Sequence, residues 1–174
     1  MIRRTISYKS ADILLPLYKT LVRPLVEYCT PAWSPHYVKD KTLLEKVQHR
    51  FTRMIPGLKQ LEYSTRLDAL NLWTLEERRN RADLIEMFKM VRGLSGVNAD
   101  ILFERARDTR TRGHPLKLRK HHCHTDLRKF FFSERVVSRW NSLDEECVLV
   151  QTVNSFKSNL KRIRKLQRSF FTDT

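Results

Sequence analysis

Four potential metal ligands stand in a row at His121, His122, Cys123 and His124. Zinc is held by thiolates and imidazoles, but its ligands come in pairs spaced by two or more residues. Adjacent side chains diverge, so at most two of these four can reach one ion. The available completers are His114 and the distant Cys29 and Cys147. The expected state is a basic loop with incidental histidines, and no metal or other cofactor is assigned. Cys123 has imidazole neighbours, yet no third group is placed to orient a base for a thiol nucleophile. Asp144, Glu145 and Glu146 form the one acidic cluster and read as a solvated helix end or turn. Two-metal phosphoryl transfer needs acids converging from separate elements, which this cluster does not supply. The four glycines, at 57, 93, 96 and 113, cannot make a phosphate-cradling loop. No acid–base–nucleophile constellation assembles, so the expectation is a chain without catalysis.

What remains is charge. Lys and Arg number 34 against 19 Asp and Glu, a formal +15 on 174 residues. Such an excess repels itself in a compact state unless a polyanion or an acidic partner neutralises it. Between Arg105 and Arg139 eleven cations face three acids, a local +8. The partner classes this implies are nucleic acid first, then an acidic protein face or an anionic membrane surface. Apolar residues are 41% of the chain, enough to build a core. The three cysteines, Cys29, Cys123 and Cys147, are odd in number and unspaced, which points to reduced intracellular thiols. No secretory leader is visible behind Met1, and no apolar run approaches the ~20 residues that cross a bilayer. The expectation is an intracellular chain, with nothing to separate nucleus from cytoplasm.

These groups must be positioned by helices, because glycine is too scarce for the turns of an all-β fold. Ser10 is placed to cap a helix carrying Ile13, Leu14, Leu17, Tyr18, Leu21 and Val22 on one face. Pro16 should kink that helix or delay its start, and Pro24 should end it. Leu25 to Cys29 then forms a short apolar piece leading to an elbow around Pro31, Trp33 and Pro35. The next helix is capped by Asp40 or by a Thr42–Glu45 capping box. Its stripe is Leu43, Leu44, Val47, Phe51, Met54 and Ile55, with Lys46, His49, Arg50 and Arg53 off it. Pro56 and Gly57 stop it. Ser64 caps a short helix through Leu67 and Leu70.

Thr74 and Glu77 make another capping box, opening a long helix to about Arg92 that Gly93 terminates. From about Asn98 to Lys129 periodicity fades. The alternation at Leu116 and Leu118 suggests a short extended or hairpin element, and 107–113 reads as a link. Helical pattern returns at Phe131, Val136, Val137 and Trp140. Val148 to Val150 reads as extended. Thr152 caps a last helix with Val153, Phe156, Leu160, Ile163 and Leu166 on one face. Its other face carries Lys157, Lys161, Arg162, Arg164, Lys165 and Arg168. The run Phe130, Phe131, Phe132 can stack bases, but large aromatics chiefly fill cores, as is expected also of Trp33, Trp73 and Trp140.

Taken in order, LYKTLVRPLVEYCTPAWSP (17–35), LLEKVQHRFTRMIPGL (43–58) and YSTRLDALNLWTLEERRNRADLIEMFKMVRGL (63–94) resemble one family. So do TRGHPLKLRK (111–120), FFFSERVVSRWNSL (130–143) and VNSFKSNLKRI (153–163). The family is that of reverse transcriptases of non-LTR retrotransposons of the jockey-like kind, in the region after the polymerase palm. The resemblance implies a mainly α, irregular assembly of thumb-like helices over 1–97 and a basic tail region with two helices over 98–174. The tail would hold the short extended element near 114–130 and end in the amphipathic helix. It implies grip on a template–primer rather than chemistry, since the family's catalytic aspartates and its endonuclease domain lie upstream. Pro16 departs from the family pattern, which continues a helix there. Met1 falls about where a palm would end, as in a truncated element.

The expected partner is RNA or DNA, held through phosphates without base preference. The residues assigned to that role are Lys46, Arg50 and Arg53 on the cleanest helix, and Arg119, Lys120, Arg128 and Lys129 in the basic stretch. The alternative is a helical interaction module whose exposed apolar surface meets the missing palm or another protein.

Overall fold

Proline shapes the first helical stretch. The computed structural model describes residues 6, 8–106 and 113–173. Helix α1 (Ala11–Leu17) contains Pro16 and passes without interruption into a π-helical turn, Tyr18–Val22. Helix α2 (Arg23–Glu27) follows directly, with Pro24 in its first turn. The expected break at Pro24 is therefore corrected, since the chain stays helical to Glu27. A proline in a helix lacks its N–H and its ring strikes the carbonyl four residues back. The π turn relieves this by shifting register: the Arg23 N–H bonds the Tyr18 carbonyl, five back. Pro24 thus enters at the start of a fresh α segment, where its missing donor is tolerated. Ser10 stands at the N-cap of α1, but its hydroxyl makes no capping bond.

The chain forms two compact units. One is Met1–Cys29 with Pro35–Arg78, the other Thr30–Ser34 with Arg79–Thr174. The change in composition near Asn98 lies inside the second unit. The first unit's core is Leu14, Tyr18, Phe51, Ile55, Leu67, Leu70 and Leu72. Tyr18 and Phe51 stack with ring centroids 4.2 Å apart. These side chains come from α1, from the π turn (Tyr18), from α4 (Val38–Thr52), from α5 (Tyr63–Ala69) and from the connecting loops.

Helix α4 begins at Val38, four residues before the expected box residue Thr42, whose hydroxyl donates to the Val38 carbonyl at 2.8 Å. A Thr–x–x–Glu pair inside a helix has the same spacing as one at its start, so the pattern misleads. Glu45 instead serves α6 (Leu75–Val91), whose first N–H it accepts. Thr74 and Glu77 do form a reciprocal capping box. The Thr74 N–H donates to Glu77 at 2.8 Å, and the Glu77 N–H to the Thr74 hydroxyl at 3.1 Å. Past the end of α6, Gly93 adopts a φ of +65°, the left-handed conformation that glycine takes at low cost.

In the second unit, α3 (Thr30–Trp33) and α7 (Ala99–Leu102) are single turns. The expected extended element is an isolated antiparallel bridge, Arg105 to Leu118, and the described residues hold no sheet. Residues 107–112 of the expected link lie outside the described residues. A turn the sequence pattern does not suggest, α8 (Asp126–Lys129), is capped by Thr125. Then come α9 (Phe132–Asn141) and α10 (Glu145–Val148). Val148 thus ends a helical turn rather than opening an extended stretch. Its side chain is fully buried, while Leu149 caps the turn and is exposed, and Val150 belongs to no strand. Thr152 caps α11 (Val153–Leu166), accepting the Ser155 N–H, and a 3-10 turn, Arg168–Phe171, closes the chain.

Phe88 of α6 stacks on Phe156 of α11 at 4.4 Å, and Trp140 of α9 lies against Phe156 at 6.2 Å. All three are fully buried. Of the expected core aromatics, Phe132 is buried, while Phe131 and Trp33 remain exposed. No helix of the described residues is long and apolar enough to cross a membrane.

Candidate nucleic-acid interface

The cations expected on α4 lie together. Lys46, Arg50 and Arg53 fall on the helix face opposite Phe51 and Gln48, and all three are exposed. Arg50 and Arg53 border two adjoining hollows. Lys9, Met54 and Lys59 complete the first, which has a volume of about 590 Å³. Thr42, Glu45, Lys46, His49 and Tyr63 complete the second, of about 480 Å³. None of the five cations pairs with a carboxylate of the described residues. Lys9 and Lys59 are not legible in the sequence as part of this cluster, because loops rather than helical spacing bring them in.

Behind the cations lies an ordered layer. His49 and Tyr63 stack with ring centroids 3.5 Å apart. Arg66 of α5 is 1% exposed; its guanidinium lies 5.4 Å from the Tyr63 ring centre and bonds His49 Nδ1 at 3.1 Å. It has no carboxylate partner among the described residues, and its Nε makes no hydrogen bond. A buried, uncompensated cation costs stability, and it raises the positive potential of the surface it underlies. Burial, and then the Arg66 and Arg53 charges, push the His49 imidazole below its ordinary pKa. His49 is therefore neutral at neutral pH, with Nδ1 as the acceptor of the Arg66 bond.

The lining carboxylate does not oppose an incoming anion freely, because Glu45 is engaged. It accepts the Leu75 N–H at 2.9 Å and the Tyr63 hydroxyl. Tyr63 OH also accepts from Gln48 at 3.0 Å, and Gln48 in turn accepts from Tyr18 OH at 2.7 Å. Burial raises both tyrosine pKa values far above the ordinary range, so these hydroxyls stay protonated donors.

The basic stretch is arranged differently. Arg119, Lys120, Arg128 and Lys129 are exposed, but three of them already have polar partners. Arg119 holds Glu104 bidentately at 2.9 and 3.1 Å, and Arg128 reaches Glu134 at 3.4 Å. His121 bridges the two carboxylates, with Nε2 3.2 Å from Glu104 and Nδ1 3.2 Å from Glu134. The result is a connected row, Arg119–Glu104–His121–Glu134–Arg128, in which two carboxylates already engage the two arginines. Hydrogen bonds from Arg119 and then His121 hold the Glu104 carboxyl below its usual pKa. Lys120 donates to the Ser138 hydroxyl at 2.6 Å, and Lys129 lies over the Phe130 ring at 5.2 Å. His122 and His124 meet edge to face, and no group of three or more metal-binding side chains gathers among the described residues.

Several other arginines are clamps. Arg135 holds Asp83 with two bonds, 2.8 and 3.0 Å, and donates to the Thr30 and Pro31 carbonyls. Arg139 ties Phe170 and Thr172, and Arg92 ties Val148 and Val150. These side chains belong to the fold's own hydrogen bonding, so the formal +15 overstates the charge on offer to a polyanion.

Helix α11 adds a further basic face. Phe156 and Leu160 are fully buried, which fixes the helix's rotation and turns the opposite face outward. Lys161 and Lys165 are exposed there and Lys157 stands half-buried at its flank, the three recurring at four-residue spacing, about 6 Å apart along the axis. The helix contains no acidic residue.

No family model matches the chain, no curated protein matches it, and no solved structure matches it.

Proposed function

We propose that this chain is the nucleic-acid-holding part of a reverse transcriptase of the non-LTR retrotransposon kind. It binds RNA or DNA through phosphates, without reading sequence and without catalysing a reaction. The observation that carries the reading is the cation cluster on and around α4. Lys46, Arg50, Arg53, Lys9 and Lys59 border adjoining hollows, and none is neutralised by a carboxylate of the described residues. Phosphates are the ligands such a cluster suits, each ion pair releasing counterions. The family attribution rests on the ordered sequence motifs alone.

The test is a salt titration of binding to an RNA–DNA hybrid, duplex DNA and single strands in parallel. Log affinity should fall linearly with log salt, by roughly 0.7 to 0.9 per phosphate neutralised. A flat response on all three would overturn the reading. Phosphodiester turnover that survives purification and yields to a point mutation would overturn the assignment of grip without chemistry.

A second reading is favoured by one observation. Leu21, Leu25 and Tyr28, spaced three to four residues apart, are 57%, 78% and 77% exposed. Such a strip suits a protein partner. Association in sedimentation that disappears on Leu21→Ser and Leu25→Ser would support it, and a parent chain that stays monomeric at all concentrations would count against it.

A further inference from the structure

The second hollow beside α4 combines two kinds of chemistry. Its edge is cationic, from Lys46, Arg50 and Arg53, while His49 and Tyr63 give it a stacked pair of rings. We propose that this hollow takes one unpaired nucleobase of a single-stranded nucleic acid, stacked on the His49–Tyr63 pair, with the flanking phosphates held by Lys46, Arg50 and Arg53. The proposal rests on the phosphate-binding reading above and names its substrate as a single strand.

Four features support it. The hollow's volume of about 480 Å³ is within the range of small-ligand sites, ~300–1,000 Å³, and suits one nucleotide rather than a duplex. A base inside a duplex is stacked on its neighbours and presents no free face, whereas a single strand offers one at every position. The rings are held in place: Tyr63 by Glu45 and Gln48, His49 by Arg66, so little freedom is given up on binding. The neutral state of His49 keeps its ring a stacking surface, and leaves the charge to the three cations that phosphates meet. Stacking of this kind tolerates any base, because every base has a π face.

The experiment compares the full chain's affinity for a short thymidine oligonucleotide with that for an abasic deoxyribose-phosphate strand of equal length. The base-bearing strand should bind roughly tenfold more tightly, within the range for one stacked base. That preference should vanish in His49→Ala and persist in His49→Phe, which keeps a ring. Equal affinities for the two strands, each with a normal salt slope, would overturn the stacking site and leave the phosphate grip standing. A parental preference unchanged in His49→Ala would overturn it as well. No salt-dependent binding of either strand would defeat the underlying reading itself.

Because His49→Ala also removes an Arg66 partner and can unfold the unit, a second measurement uses only the parent protein. An abasic strand carrying a single 2-aminopurine should lose fluorescence on binding, as the base stacks. Binding without that quenching would overturn the proposal.

Discussion

The carboxylate of Glu45 on α4 accepts the backbone N–H of Leu75, the first residue of α6, at 2.9 Å through one oxygen and 3.2 Å through the other. A helix exposes its first four N–H groups and carries partial positive charge at that end, so a carboxylate placed there is doubly favoured. The same group also accepts the Tyr63 hydroxyl of α5. One side chain thereby ties α4, α5 and the start of α6, and fixes the ring pair beside the cation cluster.

Removing Glu45 should be costly. Glu45→Ala leaves a Leu75 N–H and a Tyr63 hydroxyl without their acceptor, for a loss of about 2–3 kcal/mol. Glu45→Gln keeps an acceptor and removes only the charge, for about 1 kcal/mol or less. Urea denaturation of both variants checks the ordering. Equal losses would mean the charge, not the acceptor, is what matters.

Helix ends are legible in the sequence wherever local chemistry decides them. Thr74 with Glu77, Thr152 and Gly93 need no tertiary information, since cap and left-handed turn are built from neighbours in the chain. Thr42 with Glu45 has the same spacing, but Glu45 is claimed by a helix thirty residues away, which no local pattern reveals. Pro24 misleads for a related reason: a π turn upstream accommodates it. The site divides in the same way. Lys46, Arg50 and Arg53 can be found because they fall off the apolar stripe of α4. Lys9 and Lys59 cannot, because loops deliver them. Arg119 and Arg128 look free in a charge count beginning at residue 105, yet Glu104 lies just outside that window and Glu134 is brought back by the fold.

Asn141 imitates a strand. Its side-chain amide accepts the Leu118 N–H at 2.9 Å and donates to the Leu118 carbonyl at 2.7 Å, so it holds the extended residue Leu118 against the end of α9. Asn141→Ala should cost about 1–3 kcal/mol by leaving both groups without that partner. Asn141→Asp keeps an acceptor, removes the donor and sets a charge beside a carbonyl, so it should not restore stability. Hydrogen exchange at the Leu118 amide reads the effect directly: protection should fall in both variants.

Two histidines give stability a shared pH dependence. Burial pushes the His49 and His114 imidazoles below their ordinary value near 6.5, assisted at His49 by Arg66 and Arg53 and opposed at His114 by its bond to the Trp140 carbonyl. The unfolded chain then binds protons more readily than the folded one. Stability should be level well above pH 6.5 and should fall as pH drops through 6.5 toward the folded values. His49→Phe should remove part of that fall. A melting temperature that rises on acidification across this window would contradict the assignment.

Phosphate binding by α4 and by α11 can be separated by counting counterions. Arg50→Ala with Arg53→Ala should reduce the salt slope by roughly one unit for each phosphate no longer held. Both side chains are exposed and pair with no carboxylate of the described residues, so the melting temperature should move little, surface changes being worth within ~0.5 kcal/mol. Replacing Lys157, Lys161 and Lys165 by glutamine tests the α11 row in the same way. Phe156 and Leu160 hold that helix from its other face, so it should stay folded and its slope change should reflect charge alone. A drop for the α4 pair but none for the lysine row would confine the grip to α4. The reverse would move it to α11, and with it the part of the chain that meets the strand.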